Sequence, residues 1–308
     1  MKLTCDQKKV NPPFIYYYFK SPWGRHELLK NASTVGTPGI GQPLTSLKGL
    51  TVPLPPLPTQ RRIAEILGRL DDKIELNRRI NRTLETMAQA LYRHHFVDFG
   101  PYQDGAFVES ALGLIPEGWH VKALPDVIEV NPKRSLSKGQ SAPYLEMSNM
   151  PTTSSRALDW YERAFNSGMR FINGDVLVAR ITPCLEHGKT AYVDFLDDGQ
   201  IGWGSTEYIV LRSKPPFPLE FAYYLARSEE FRSFAIQRMT GTSGRQRVSA
   251  KSLDFFYLVV PPVQVLEEFG RMAKRTLDMV KRLGEENSKL AEIRDYLLPK
   301  LLSGDAAV

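Results

Sequence analysis

Cysteine is almost missing from this 308-residue chain. Cys5 and Cys184 stand far apart, outside any Cys-x-x-Cys or Cys/His cluster. That excludes a disulfide framework and a structural zinc site, and no metal is expected. It fits a reducing compartment, so a cytoplasmic protein is expected. Long hydrophobic runs are missing too. No segment approaches the roughly 20 apolar residues that cross a bilayer. The polar start, Met1 to Val10, lacks the apolar core of a secretory signal. A membrane partner is therefore not expected. Nor does charge of one sign dominate: 40 Lys and Arg face 34 Asp and Glu, for a net charge of +6. Such a surplus favours an acidic partner such as nucleic acid only mildly. With 42% hydrophobic and 24% charged residues the composition is that of ordinary globular protein, and the length suits about two domains.

What the chain does have is an internal duplication. Ser46 to Phe96 aligns without gaps on Ser252 to Leu302. Leu47 meets Leu253, Val52 meets Leu258 and Pro55-Pro56 meets Pro261-Pro262. Ile63 meets Phe269, Ile74 meets Val280, Asn81 meets Asn287, Leu84 meets Leu290 and Leu91 meets Leu297. Upstream, after one slip, Phe14, Tyr16, Tyr17, Lys20 and Ser21 correspond to Phe221, Tyr223, Tyr224, Arg227 and Ser228. Each copy reads as a short apolar strand, Leu50 to Leu54 or Phe255 to Val260, then a proline pair, then a long helix.

In the first helix Thr59 is positioned as N-cap and Gly100-Pro101 as the stop; Pro299 should end or kink the second. From about Gln60 to Val97 the first would be roughly 55 Å long at 1.5 Å per residue. Its apolar residues are Ile63, Leu67, Leu70, Ile74, Leu84, Ala88 and Leu91, with Asn77 and Asn81 in the gap. The alternating spacing of four and three is a coiled-coil seam with a polar interruption. The second helix offers Phe269, Ala273, Thr276, Val280, Leu283, Asn287, Leu290 and Leu297. A single long helix cannot bury its own stripe. A duplicated unit folded about a pseudo-two-fold axis would pair the helices antiparallel within one chain. Dimerisation through the seams is the alternative.

Between the helices lies a block from about Gly113 to Val260. Asp175 to Arg180, Lys189 to Phe195 and Thr206 to Leu211 have strand patterns, and a helical stretch from Leu219 to Met239 follows. The expected class is α+β: a mixed block plus two long helices. Roughly 100 residues, about Gly113 to Ile209, have no counterpart in the first copy. The block holds 17 Lys and Arg against 16 Asp and Glu, so charge distribution matters more than total. Arg227 to Lys251 has six basic residues against Glu229 and Glu230. Its centre, Gly241 to Arg247, reads as a polar loop between helix and strand. Arg and Gln carry the forked groups that fit guanine and adenine edges in the major groove, while Ser, Thr and Lys suit phosphates. The candidate DNA-contacting residues are Arg180, Thr182, Lys189, Ser205, Thr206, Thr242, Ser243, Arg245, Gln246 and Arg247. Lys133, Arg134 and Lys138 lie on another polar loop. Arg61, Arg62, Arg78, Arg79 and Arg82 read as a solvated or subunit-facing helix surface.

Several groups of residues, in their order and spacing, carry a family likeness. They are Val52-Pro53-Leu54-Pro55-Pro56-Leu57 with Gln60, then Ile115-Pro116-Glu117-Gly118-Trp119. Gly174-Asp175-Val176-Leu177 follows, with Gly188-Lys189 and Gly204-Ser205-Thr206-Glu207. Over nearly its whole length the chain resembles the specificity subunit of a type I restriction–modification system. The resemblance implies two target recognition domains alternating with two helical regions, each domain reading part of a bipartite site on double-stranded DNA. It implies methyltransferase (modification) subunits docked on the helices, a restriction/translocase subunit beside them, and no cofactor or catalytic residue in this chain. The implied divisions are a remnant of a first recognition domain at 1–57, a spacer helix at 58–100, a second recognition domain at 101–262 and a second helix at 263–304. The first domain is expected to be incomplete, as in a chain shortened from its N-terminus.

Other classes are weaker. Asn11-Pro12-Pro13-Phe14 has the form of an amino-methyltransferase tetrapeptide, but only ten residues precede it, and Phe14 matches Phe221 at the start of a helix. Gly188-Lys189-Thr190 lacks the glycine a phosphate loop requires five positions earlier, where Pro183 stands. His94-His95 are adjacent and so point to different helix faces. A standalone coiled-coil scaffold without a DNA role, or a methyltransferase fragment, remain the alternatives.

Overall fold

The computed structural model describes residues 4–30, 32, 39, 43–242 and 244–306. It divides into two compact units, Met1–Arg78 with Gly284–Val308, and Arg79–Leu283. The fold is α+β, and two long helices, α4 (Leu57–Phe96) and α8 (Val263–Ser303), run through both units.

In the first unit α1 (Pro12–Lys20) starts where the Asn11 side chain accepts the Phe14 N–H, with proline at the first helical position. The Asn11-Pro12-Pro13-Phe14 run is thus a capped helix start. Ser21 ends α1 and caps α2 (Pro22–Leu29) by accepting the Gly24 N–H, and α3 (Pro43–Lys48) precedes α4. Phe14, Ile15 and Tyr17 pack against Ile63, Ala64 and Leu67 of α4 and Leu298 and Leu301 of α8. The helix segments run antiparallel: Asp71 pairs with Arg294 at 2.7 Å and Asn77 with Asn287 at 3.0 Å. Asn77 is fully buried; its Nδ2 also donates to Glu286, while its Oδ1 has no partner among the described residues.

In the second unit β1 (Phe107–Ser110) and β2 (Gly113–Pro116) form a hairpin, and β3 (His120–Ala123) leads into α5 (Leu124–Val127). Then come β4 (Ile128–Val130), β5 (Ser141–Leu145), β6 (Tyr161–Ala164) and β7 (Met169–Phe171). After them follow β8 (Val176–Ala179), β9 (Thr190–Tyr192), β10 (Gly202–Gly204) and β11 (Tyr208–Ser213). They form two four-stranded sheets, ordered β6-β5-β10-β7 and β4-β11-β8-β9. All four residues of β8 are buried, which explains its unbroken apolar sequence. α6 (Phe221–Arg227) and α7 (Glu229–Gln237) follow, then β12 (Tyr257–Val260), paired antiparallel with β3. Here the long-helix segments again run antiparallel, since Tyr92 and Phe96 of α4 both reach Phe269 of α8, and the Asn81 side chain donates to the Val280 carbonyl.

The duplication is visible in detail. Ser228 caps α7 as Ser21 caps α2, with φ,ψ of −65°,151° against −66°,157°. Phe14, Ile63 and Leu298 in one core stand where Phe221, Phe269 and Tyr92 stand in the other. The copies differ in cover: Tyr16 is 53% exposed, whereas its counterpart Tyr223 is 1% exposed beneath the sheets.

Local expectations need correction. Residues 50–54 are not a strand; their counterpart β12 is one because β3 lies beside it. Thr59 is not the N-cap, because α4 starts at Leu57 and Pro56 already accepts the Gln60 N–H. α4 ends at Phe96, before Gly100-Pro101. Pro299 does not stop α8, which continues to Ser303 with Leu298 and Leu301 held in the core. Leu91 is 37% exposed and Tyr92, 3% exposed, takes its place in the seam. A 3.6-residue period drifts off a strict heptad over forty residues. Ile63, Leu67, Ile74, Phe269 and Val280 are buried, while Leu70, Asn81, Leu84, Leu283, Asn287, Leu290 and Leu297 are half-buried.

Candidate nucleic-acid interface

Three segments of the second unit converge beyond the end of β8. Arg180 donates its N–H to the Glu207 carbonyl at 3.0 Å and accepts from Val248 at 2.9 Å. Ile181 bridges to Arg247, and Thr182 donates to the Gln246 carbonyl at 3.0 Å. Thr240 and Arg247 exchange both backbone hydrogen bonds, at 3.0 and 2.9 Å, which closes a loop over 241–246. Gly241, at φ 130°, makes the turn, and a Cβ there would lie 3.0 Å from the Arg245 carbonyl. Thr242 and Arg245 are exposed at the tip. Ser243 lies outside the described residues. Ser205 accepts the Glu207 N–H on its hydroxyl at 3.0 Å, fixing the turn before β11, and leaves Thr206 exposed.

The structure therefore brings together Arg180, Thr182, Ser205, Thr206, Thr242, Arg245, Gln246 and Arg247. Their states differ. Among the described residues, the side chains of Arg245 and Gln246 have no hydrogen bond or ion pair. Arg180 Nε and Thr182 Oγ1 are covered and have no partner among the described residues. Arg247 is engaged: its Nε meets the Glu207 carboxylate at 2.8 and 2.9 Å and its Nη2 at 2.8 Å. The hydrogen bond and the charge of Glu207 push the guanidinium pKa further up. Lys189 is apart from these, its Nζ bound to the Met147 carbonyl at 2.6 Å. Arg227 donates to the carbonyls of Thr152 and Gly188, and Arg232 to that of Glu186, so both hold the loop between β8 and β9. Arg134 and Arg212 converge on the fully buried Asp175, whose Oδ2 also accepts the Ile172 N–H. They are structural cations, in keeping with the rule that buried charges are paired.

The sheets are tied to the helix segments by a network with no apolar signature. Glu85 Oε1 accepts from the Ser155 N–H and hydroxyl, both at 2.6 Å, and Oε2 accepts from the Tyr223 hydroxyl at 2.8 Å. Burial first, then the Glu85 charge, pushes the Tyr223 phenol well up. Arg156 donates to the Lys281 carbonyl at 2.6 Å, and Lys281 Nζ to that of Asp194 at 2.5 Å. Glu85 went unmarked in the sequence. Its signal was position: a carboxylate between Asn81 and Ala88, on the inward stripe of α4. Glu207 was legible only as part of a motif. Among the described residues no helix is long and apolar enough to cross a membrane.

A model of the type I restriction modification DNA specificity domain matches residues 1–86 and 116–294. The MjaIX specificity subunit of Methanocaldococcus jannaschii is 24% identical over 324 residues, 96% of this chain and 69% of that protein. The HindI specificity subunit of Haemophilus influenzae is 23% identical, over 84% of this chain and 70% of that protein. Among solved structures, the S subunit of a type I restriction–modification system from M. genitalium covers 96% of this chain and 74% of its own, with TM-score 0.53 and 18% identity. That last likeness concerns the fold. With the family model spanning most of its length, the chain belongs to the type I restriction modification DNA specificity family.

Proposed function

We propose that the second unit reads part of a double-stranded DNA site through the surface formed by residues 180–182, 205–207 and 240–247. The observation that carries this reading is the convergence, through backbone hydrogen bonds, of Arg180, Thr182, Arg245 and Gln246, the last two with side chains free of partners among the described residues. Arg245 and Gln246, at a loop tip, suit base edges. Arg180, Thr182, Thr206 and Thr242, with Ser243, suit phosphates and orient the reader without selecting sequence. Lys189 stiffens the framework from behind.

A specificity subunit is a non-catalytic component, and methylation and cleavage belong to its partner subunits. In this reading α4 and α8 set the spacing of a bipartite site and dock methyltransferase subunits, with a restriction/translocase subunit joining the complex in the cytoplasm. Residues 1–57 form the base of a first recognition domain. The exposure of Tyr16, set against the cover over Tyr223, supports this.

Fluorescence anisotropy with labelled duplexes tests the central claim. Wild-type binding should weaken as salt rises, and Arg245→Ala with Arg247→Ala should weaken it at every salt concentration. An affinity equal to that of the wild type would refute the assignment.

A further inference from the structure

Glu207 is the one carboxylate in the three converging segments. An anion on a surface that meets phosphates is a liability unless it has a task. Its backbone already has one, because the Glu207 carbonyl accepts the Arg180 N–H at 3.0 Å. The carboxylate is a separate matter. It takes two edges of Arg247, while Arg247 Nη1 donates to the Arg245 carbonyl at 3.2 Å. This pair is not buried structure like the Asp175 cluster. The Arg247 side chain is 41% exposed and that of Glu207 25%, where Asp175 is wholly covered.

We infer that Glu207 and Arg247 together are a specificity-determining pair that reads one G·C base pair; this rests on the DNA-reading function proposed above. In the major groove, guanine offers the O6 and N7 acceptors that a guanidinium fits, and its cytosine offers the N4 amino donor that a carboxylate accepts. The two edges lie side by side, as the two side chains do. A phosphate attracting Arg247 exchanges one charge partner for another and strands Glu207 beside the anionic backbone. An A·T pair offers Glu207 the adenine N6 donor, but offers Arg247 only single acceptors, adenine N7 and thymine O4, on either side of it, so no one base holds the guanidinium by two bonds. A G·C pair re-satisfies both side chains at once. Glu207 therefore restrains Arg247 from indiscriminate phosphate binding and completes the readout when the right pair arrives. Arg245, free at the tip, reads a different position.

The test is selection from a random duplex pool by the full chain, comparing wild type, Glu207→Gln, Arg247→Lys and Arg245→Ala, each checked for folding by its melting curve. The wild-type motif should contain a G·C position whose preference falls about tenfold or more in both Glu207→Gln and Arg247→Lys. Other positions should keep theirs, and Arg245→Ala should act elsewhere in the motif. A motif left intact by Glu207→Gln overturns the inference alone. So does a uniform loss at every position, which would mark Glu207 as merely holding the loop. A folded wild-type chain that enriches no motif overturns the DNA-reading function itself, and this inference with it.

Discussion

Replacing Glu85 by alanine probes how the sheets are fixed to the helix segments of the second unit. The side chain is 8% exposed and serves four donors: the Ser155 N–H and hydroxyl, the Tyr223 hydroxyl and, more weakly at 3.4 Å, the Ser154 hydroxyl. A buried donor left without its acceptor costs about 1–3 kcal/mol, and bonds to a charged acceptor sit toward the upper end. The Ser155 hydroxyl can rotate elsewhere, whereas its N–H and the Tyr223 hydroxyl cannot follow. Removing a buried carboxylate also returns part of its desolvation cost. The net expectation is a loss of about 3–4 kcal/mol. For a unit of this size each kcal/mol moves the melting temperature by about 2–4 °C, so calorimetry should show the second unit's transition roughly 6–16 °C lower.

Glu85→Gln keeps an acceptor for the Ser155 N–H, and the Tyr223 hydroxyl can turn to accept from the new amide, so about 1–2 kcal/mol should be lost. Tyr223→Phe removes the phenol donor. Combined with Glu85→Ala it should be less damaging than the two single losses added together, by about 1–2 kcal/mol, because the two groups share one bond. Strict additivity, or a Glu85→Ala variant melting within a degree or two of wild type, would refute the claim that this carboxylate is a fastening point.

Two further outcomes follow from local geometry. Gly241→Ala should weaken duplex binding several-fold with little change in melting, because the φ of 130° and the Arg245 carbonyl at 3.0 Å from a new Cβ force the loop tip to shift; wild-type binding by a folded variant would count against the loop. Burial alone would raise the Asp71 carboxyl, but hydrogen bonds from Arg294 and Tyr17 and the charges of Lys20 and Arg294 outweigh it and hold it below its ordinary range. The sign for stability follows from that depression. The contribution is complete above the unfolded-state value near pH 4 and is lost as pH falls through the lower folded value. Melting curves of Asp71→Asn should therefore be flatter than wild type below about pH 4, and equal slopes would remove Asp71 from the account.

The helices, their pairing and the strands β8, β9 and β11 were legible because they depend on local regularities: the four-and-three spacing, the proline pairs and runs of β-branched residues. What was hidden depended on partners distant in the chain. Leu50 to Leu54 and Tyr257 to Val260 have similar sequences, but only the second has β3 beside it. Leu91 and Tyr92 are both apolar, and helix geometry over many turns decides which faces the core. Pro299 removes one N–H, a local loss that core contacts of Leu298 and Leu301 outweigh. The candidate site residues were chosen by residue type and loop position. Which of them were free and which engaged could not be found that way, since Glu207 lies forty residues from Arg247 and Met147 forty-two from Lys189.

The two copies show how one backbone plan tolerates opposite chemistry at equivalent points. In the first, Asp71 and Arg294 meet at 2.7 Å and Tyr17 donates to Asp71 at 3.0 Å. In the second, the same repeat positions hold Leu277 and Ala88, both buried, and Tyr224, whose hydroxyl is buried without a partner among the described residues. The difference tracks cover. Asp71 and Arg294 keep 25% and 20% of their side-chain surface in contact with solvent, so their desolvation is incomplete and the bonds from Arg294 to one carboxylate oxygen and Tyr17 to the other can offset it. Leu277 and Ala88 lie within the continuous core that carries the aromatic cluster around Phe269, where an ion pair would cost several kcal/mol per charge in lost hydration. Paired helices of common ancestry have therefore diverged where their surroundings diverged. Ile63 with Phe269, Leu67 with Ala273 and Ile74 with Val280 are apolar and buried in both copies, while Leu84 and Leu290 stay apolar at a half-buried position.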